Sequence, residues 1–219
     1  MRGSPMRRAG VFLLVAGAAL LLFAAAGLIL ASLPPRGWQD PLQIAADPTS
    51  ADRARSLEQN LAAAVSRIRE PNARWAVRIH AHDVNAWLAV RLPQWRSHDP
   101  SFAWPLEGVA AEVRCDPGCM TLLLETGGRI FSCDVVPSVE GGAVRLQPAR
   151  GAIGRLPVPS GGAIAWRFLD GETAAQKQLP TLHPLQDGRT VEICAVDVVD
   201  GAIEIECITR SAASAADGR

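Results

Sequence analysis

The residues whose types and spacing are best suited to chemistry are His80, His82 and Asp83, which follow one another along the chain. A His-x-His pair can supply two metal ligands, but a metal site needs a third and a fourth ligand. The other histidines, His98 and His183, lie in proline-containing stretches without ligand spacing. We therefore predict no metal and no cofactor, and we interpret the three residues as part of a strand-to-helix junction.

Motifs of nucleophilic catalysis and of nucleotide binding are not found in the sequence. It contains no Gly-x-Ser-x-Gly elbow, no Walker loop and no Gly-x-Gly-x-x-Gly motif. Glu192, Glu204 and Glu206 alternate along strand-like stretches, as the solvent-facing side of a sheet requires. The sequence therefore indicates no catalytic residue and favours a non-catalytic protein.

Two pairs of cysteines have spacings that suit disulfide bonds. Cys115 and Cys119, in the stretch CDPGC, resemble half of a zinc knuckle, but no second pair with that spacing follows, and a bond across the turn is the alternative. Cys194 and Cys207 are equally far from Asp200-Gly201. If those two residues form the turn, the cysteines face each other with Cα atoms about 4.5 Å apart. This second spacing predicts either a disulfide or a buried pair of thiols.

The N-terminal part contains an uncharged apolar run of 23 residues, Val11 to Leu33. A helix rises about 1.5 Å per residue, so a run of this length crosses a hydrocarbon layer of about 30 Å. A cleaved signal peptide is the alternative, but its apolar stretch is about 7 to 15 residues long and ends at a small-residue cleavage site. We predict a retained transmembrane helix over residues 11–33, which places the lipid bilayer among the partners.

The distribution of charge predicts the orientation of the chain in the membrane. Arg2, Arg7 and Arg8 precede the apolar run without a nearby acid, which places residues 1–10 in the cytoplasm. The protein is then a single-pass protein of the bacterial inner membrane with an extracytoplasmic C-terminal domain. Three of the 22 basic residues precede the run and all 22 acidic residues follow it, so the exposed part has a net charge of −3. This balance argues against a nucleic-acid partner.

A stalk, a helix and a strand are predicted after the membrane span. Prolines and the lack of any period indicate an irregular stalk over residues 34–48. Thr49 or Ser50 can then cap a helix that Pro71 ends, and Trp75 to Ile79 reads as a short strand. The helix has one apolar face, made of Ala54, Leu57, Leu61, Val65 and Ile68.

A second helix is predicted over residues 82–92, closed by Pro93. Asn85 falls in its first turn, where backbone N–H groups lack helical partners and need acceptors. We therefore expect the Asn85 amide to brace the start of the helix, while Trp87 and Leu88 anchor the helix in the core.

From residue 109 the apolar period changes to two. Turns at Pro117-Gly118, Gly127-Gly128 and Gly141-Gly142 predict an antiparallel meander of four strands. Leu123 and Val136 point to the outer face. The three turns place one set of residues on a shared buried face, namely Val109, Ala111, Val113, Cys115, Met120, Leu122, Leu124, Phe131, Cys133, Val135, Val144 and Leu146.

The predicted fold class is α+β, with the N-terminal transmembrane helix followed by two helices packed on a mainly antiparallel sheet of about five to seven strands. A hairpin from Val191 to Thr209 closes the extracytoplasmic domain, which we predict to cover residues 49–210. Residues 211–219 are small and polar and are predicted to be a disordered tail.

An apolar loop, Gly154 to Leu169, interrupts the strands and provides the candidate binding residues. It either closes over the open face of the sheet or borders a groove for a lipid tail. In the second case the tail would lie against Leu122, Phe131 and Leu146, with Arg155 or Arg167 near the head group. The candidate residues in the loop are Arg155, Leu156, Val158, Ile164, Trp166, Arg167 and Phe168.

Two short stretches carry a resemblance to a known family. Asp83-Val84-Asn85-Ala86-Trp87-Leu88 and Gly154-Arg155-Leu156-Pro157-Val158-Pro159 resemble segments of the YpmS-like proteins, which are single-pass, membrane-anchored and extracytoplasmic proteins of unknown function. The resemblance implies the order anchor, helix, strand, helix and antiparallel sheet, and it implies no catalytic residue.

Two classes of function agree with these observations. The first is a non-catalytic cell-envelope protein whose domain binds a protein partner or a lipid close to the membrane. The alternative is a membrane-tethered extracytoplasmic hydrolase, for which His80, His82 and Asp83 are the only local cluster of polar groups.

Overall fold

The protein has an α+β fold in a computed structural model that describes residues 5–98, 110–158 and 178–210. The helices in these ranges are α1 (Pro5–Ser32), α2 (Pro41–Ala46), α3 (Ser50–Ser66) and α4 (Ala81–His98). The strands are β1 (Arg74–His80), β2 (Ala110–Asp116), β3 (Cys119–Thr126), β4 (Arg129–Glu140), β5 (Ala143–Ile153), β6 (Leu156–Val158), β7 (Gln178–Pro180), β8 (Leu182–Pro184), β9 (Thr190–Val199) and β10 (Ala202–Arg210).

The strands form two antiparallel sheets rather than the single sheet that the sequence predicts. The first sheet has the order β1-β10-β9-β8. The second is the meander β2-β3-β4-β5 extended by β6, and β7 pairs with β5 as well. The separation arises because β1 pairs with β10 along its whole length, from Arg74 opposite Ile208 to His80 opposite Ala202. The alternation of apolar and polar residues predicts which face of a strand is buried, but it does not predict which strands pair with each other.

The meander itself is confirmed, with turns between the strands at the three expected places. Val113, Leu122 and Cys133 stand side by side across β2, β3 and β4 on the inner face. Cys133 and Val135 are nearly inaccessible to solvent. A β-bulge at Asp134 and Val135 then shifts the pairing with β5 by one residue.

The core lies where α4 and the two sheets meet. Val113 and Cys115 of β2 are buried with Val198 of β9, and α4 packs against them. Turns of the two sheets also exchange backbone hydrogen bonds: the Gly118 N–H donates to the Val198 carbonyl (2.8 Å), and the Gly201 N–H donates to the Cys115 carbonyl (3.0 Å). Both sheets therefore belong to one folded unit.

The two domain helices differ from their predicted lengths. α3 ends at Ser66, so Ile68 lies beyond the helix and is 86% exposed. α4 does not stop before Pro93 but runs through it to His98. A proline inside a helix removes one backbone hydrogen bond. Here packing of α4 against α3 and β2 offsets that loss.

α1 contains the apolar run at the N-terminus. Where its side chains are described, from Ala16 onward, the large apolar ones are exposed, namely Leu20, Leu21, Leu22, Phe23, Leu28 and Ile29. Within the described ranges, no helix has the length and apolarity of a segment that crosses a membrane.

Candidate functional site

The polar residue in the first turn of α4 binds the edge of the second sheet. Asn85 donates from Nδ2 to the Val113 carbonyl (2.9 Å) and accepts the Val113 N–H on Oδ1 (2.7 Å). Its side chain thus pairs with edge strand β2 as a neighbouring strand would, and it is 7% exposed. Asn85 therefore fastens α4 to the sheet, whereas the expectation that it braces its own helix was wrong.

A second polar cluster joins α4 to α3. The carboxylate of Glu58 accepts hydrogen bonds from Trp87 Nε1 (2.9 Å), Arg91 Nε (3.1 Å) and an Arg91 terminal nitrogen (2.9 Å). The hydrogen bond from Arg91 is the main cause that lowers the pKa of Glu58 below its ordinary value of 4.5. Trp87 is therefore held at the helix interface, while Leu88 packs in the core as predicted.

The segment between α1 and α2, residues 33–40, is bound to the outer face of the second sheet, and we call it the strap. The Arg36 carbonyl accepts a hydrogen bond from Arg114 (2.5 Å), and the Gln39 N–H donates to Glu112 (3.0 Å). Glu112 is 3% exposed and is paired with Arg114 at 2.7 Å. This segment differs from the irregular stalk that the prolines predict.

The end of α1 rests on the turn between β5 and β6. Arg155 donates from its backbone N–H to the Leu30 carbonyl (2.8 Å) and from Nε to the Pro34 carbonyl (2.9 Å). Gly154 has a φ of +56°, and a Cβ atom there would lie 2.6 Å from the Ala31 carbonyl oxygen. Only glycine allows this approach. Because the turn lies so close, the Arg155 N–H can satisfy a carbonyl at the C-terminus of the helix that has no helical partner.

A groove opens where the strap leads into α2. It has a volume of about 410 Å³ and lies between α2, the second half of α4 and the turn between β3 and β4. Its walls are mainly apolar and include Leu42, which is 79% exposed. The described lining residues are Asp40, Pro41, Leu42, Ala45, Leu88, Ala89, Leu92, Pro93, Ala111, Glu125, Thr126, Gly127 and Gly128.

The polar groups of the groove are mostly hydrogen-bond acceptors. Asp40 and Glu125 contribute carboxylates. Pro93 has no N–H, so the Ala89 carbonyl lacks its usual partner four residues on. The described lining contains no thiol, imidazole or amine. The groove therefore suits an apolar ligand with a donor or cationic end better than it suits covalent catalysis.

The histidine cluster lies at the predicted junction between β1 and α4. The rings of His80 and His82 stack with centroids 5.3 Å apart, and His82 Nε2 lies 3.0 Å from Asp83 Oδ1. No group of three or more potential ligands is arranged for a metal ion within the described ranges. Within the described ranges, the cluster therefore provides one contact between neighbouring side chains and one pair of stacked rings.

The candidate loop residues are described only in part. Arg155 contacts the strap, and Leu156 and Val158 belong to edge strand β6. Leu122 and Leu146 pack together against Cys133 and Val135 in the core. The other candidates, Ile164, Trp166, Arg167 and Phe168, lie outside the described residues.

The disulfide that the spacing of Cys194 and Cys207 allows is not formed. The hairpin pairs as expected around Asp200-Gly201 as far as Glu206, where a β-bulge interrupts the register. Cys207 consequently pairs with Ile193, and Cys194 is the additional residue of the bulge. Burial raises the pKa of the Cys207 thiol, and the neighbouring Cys194 raises it further.

The other cysteines are thiols as well. Cys115 and Cys119 do not form a bond, because Cys119 pairs with Asp116 while Cys115 is buried and pairs with Met120. Cys133 lies in the core, where burial raises its pKa to about 11.

Sequence reasoning missed both the strap and the groove. One available signal was the apolar outer position Leu123, next to Glu112 and Arg114 in the alternating pattern. An apolar residue on a supposedly solvated face indicates that another segment covers it, and Leu123 is 1% exposed. No protein-family model matches the chain, and comparisons with curated proteins and with solved structures find no match either.

Proposed function

We propose that the chain is a single-pass, membrane-anchored protein of the bacterial cell envelope, whose extracytoplasmic domain binds a lipid or a protein partner without catalysing a reaction. The strap is the observation that supports this proposal most directly. Its hydrogen bonds hold the domain directly at the end of an exposed apolar helix.

The membrane anchor is supported by the N-terminal sequence and by the exposure of α1. The uncharged run begins at Val11, before the first described side chain of α1 at Ala16. Leu20, Leu21, Leu22 and Phe23 are each more than 70% exposed. Burying a side chain of this size stabilises by about 1.5–3 kcal/mol, so this surface favours a hydrocarbon environment over water.

The binding function is supported by the groove next to the strap. Its walls come from three elements, and its floor includes residues of α4 that Asn85 and Glu58 hold in place. Asp40 is the last residue of the strap and lines the groove, and so does the turn between β3 and β4. Ile130, just after that turn, accepts the N–H of Gly154 beside the end of α1. A ligand that leaves the bilayer would therefore reach the groove over a short path.

The proposal can be tested with the full chain purified from its native membrane in a mild detergent. Lipid that stays bound is extracted and measured by mass spectrometry. The double variant Leu42→Asp, Ala45→Asp places charges on the exposed wall of the groove. Gln43→Asp on the same helix is the matched control, since Gln43 is exposed and is not part of the lining.

We expect lipid to remain with the parent chain and the control and to be lost from the double variant. Lipid-free protein in all three cases would favour a protein partner, which a photo-crosslinker at position 42 would then capture. Release of the chain from membranes by alkaline carbonate would contradict the anchor. Hydrolytic turnover of esters or peptides by the purified chain would contradict the non-catalytic assignment.

A further inference from the structure

Three arginines surround the place where α1 meets the domain. Arg155 is bound to the end of α1 through its backbone N–H and to the strap through Nε, and its neighbour Gly154 donates its N–H to the Ile130 carbonyl (2.7 Å). Arg129 precedes Ile130, so its backbone lies beside the turn that contains Arg155. Arg36 lies in the strap, four residues beyond the last residue of α1. We call Arg36, Arg129 and Arg155 the arginine ring.

The ring carries charge that the described part of the domain does not neutralise. All three residues are exposed, and no carboxylate of the described part of the chain lies within ion-pair distance of them. Two other arginines on the same side of the sheet have partners: Arg114 is paired with Glu112 at 2.7 Å and Arg150 with Asp134 at 3.7 Å. Arg36, Arg129 and Arg155 therefore differ from these two neighbours in having no ion pair with the described residues.

The sequence after Leu33 has a net charge of −3, so an overall excess of positive charge does not explain the three exposed arginines. The negative end of the α1 dipole accounts for part of the ring, since cations stabilise the C-terminus of a helix. Arg155 satisfies the carbonyls there through two hydrogen bonds. Arg36 and Arg129 make no side-chain hydrogen bond or ion pair with the described residues, so they have charge to offer to a partner.

We infer that the arginine ring binds the anionic head groups of phospholipids in the outer leaflet of the membrane. This inference rests on the proposed membrane anchor, because an inserted α1 brings the ring to head-group depth. The ring then adds positive charge next to the apolar surface of α1. Half-buried Trp38 lies in the strap, close to Arg36 in the sequence, and tryptophan is enriched at membrane interfaces. Guanidinium groups bind phosphate oxygens in pairs of hydrogen bonds.

The experiment uses the full chain in vesicles of equal parts phosphatidylcholine and phosphatidylglycerol. Either the first or the second lipid carries brominated acyl chains, which quench nearby tryptophan. Trp38 is the reporter, and the variant Trp38→Phe gives the background of the other tryptophans. The test variant is Arg36→Gln, Arg129→Gln, which leaves the backbone bond of Arg36 intact. The control is Arg53→Gln, Arg55→Gln on α3, which removes the same charge from exposed positions.

We expect brominated phosphatidylglycerol to quench the parent chain and the control more strongly than brominated phosphatidylcholine does. Each arginine at the surface contributes roughly a fivefold preference for the anionic lipid before screening, and two together contribute roughly 25-fold. Screening by salt reduces this factor, so the test variant should lose about tenfold in selectivity. High salt should reduce the preference of the parent chain in the same direction.

Equal quenching by the two lipids in the parent chain would overturn the inference, and so would an unchanged preference in the test variant. A chain that does not float with vesicles of either composition would overturn the membrane anchor itself. Flotation without a preference would leave the anchor in place and refute only the arginine ring. Free inorganic phosphate that abolishes the preference at millimolar concentration would show that the ring binds phosphate in solution rather than the bilayer surface.

Discussion

Replacement of Asn85 by alanine should cost the domain a large part of its stability. The change removes both hydrogen bonds to Val113 and leaves the N–H and the carbonyl of a buried edge strand without partners. A buried unsatisfied polar group costs about 1–3 kcal/mol, so we expect a loss of about 2–5 kcal/mol. Domains of this kind are stable by about 5–15 kcal/mol, which makes the change measurable without abolishing folding.

The assay is urea unfolding of the full chain in a non-ionic detergent, followed by tryptophan fluorescence and circular dichroism. Asn60→Ala is the matched control, because Asn60 is exposed on α3. That substitution should change the free energy of unfolding by less than about 0.5 kcal/mol, with a slight gain from the better helix former. A loss in Asn85→Ala no larger than in the control would refute the role of Asn85 at the sheet edge.

Asn85→Asp gives an independent check of the same geometry. A carboxylate can accept the Val113 N–H, but only the protonated acid can donate to the Val113 carbonyl. Burial and the need for a donor should raise the pKa of this carboxyl group in the folded state above its unfolded value of about 3.9. Stability is then present below the unfolded pKa and is lost as the pH rises through the folded pKa. Asn85→Asp should therefore be closer to the parent chain at pH 4 than at pH 7, as measured by urea unfolding at both values.

Three further predictions concern the ties between elements and the thiols. Glu58→Gln should lower the melting temperature at pH 7 and flatten its decline in acid, because the hydrogen bond from Arg91 depresses the pKa of Glu58 and its contribution is lost only as the pH falls below 4.5; identical pH profiles for both chains would contradict this. Gly154→Ala should expose the strap to limited proteolysis, since its Cβ would meet carbonyls of α1, whereas Gly141→Ala, with a φ of +60° and open space around it, should show only the backbone strain. Alkylation of the unfolded, unreduced chain should label all five cysteines by intact mass, and in the native chain Cys133 should react last, because its pKa of about 11 leaves little thiolate.

The four strands of the meander could be predicted well because each of their signals is local. Turn residues and a period of two fix the register of the meander without knowledge of any distant residue, except beyond the bulge at Asp134 and Val135. The same reasoning works in the last hairpin up to Glu206 and then fails, because nothing in the sequence marks the bulge at Cys194. That one additional residue moves Cys194 out of register with Cys207, so the disulfide between them does not form.

The contacts between elements were much harder to anticipate. The amide of Asn85 is conspicuous before an apolar pair, but its partner depends on which sheet edge lies beside α4. The strap could not be predicted for a different reason: at Pro34 and Arg36 it is bound through backbone carbonyls, which are the same in every sequence. Only their donors, Arg114 and Arg155, are residue-specific, and each is distant in the sequence from the carbonyls that it binds.

The strap also has a consequence for the proposed membrane anchor, because the motion of an inserted α1 would pass through it to the domain. An extended segment over residues 33–40 would let the domain swing within a radius of about 27 Å, at about 3.4 Å per residue. The segment is instead bound to the domain through hydrogen bonds, so α1 and the domain would move together as one rigid body. An inserted helix tilts when the bilayer becomes thinner. That tilt would turn the mouth of the groove toward or away from the lipid surface, so bilayer thickness would control access to it.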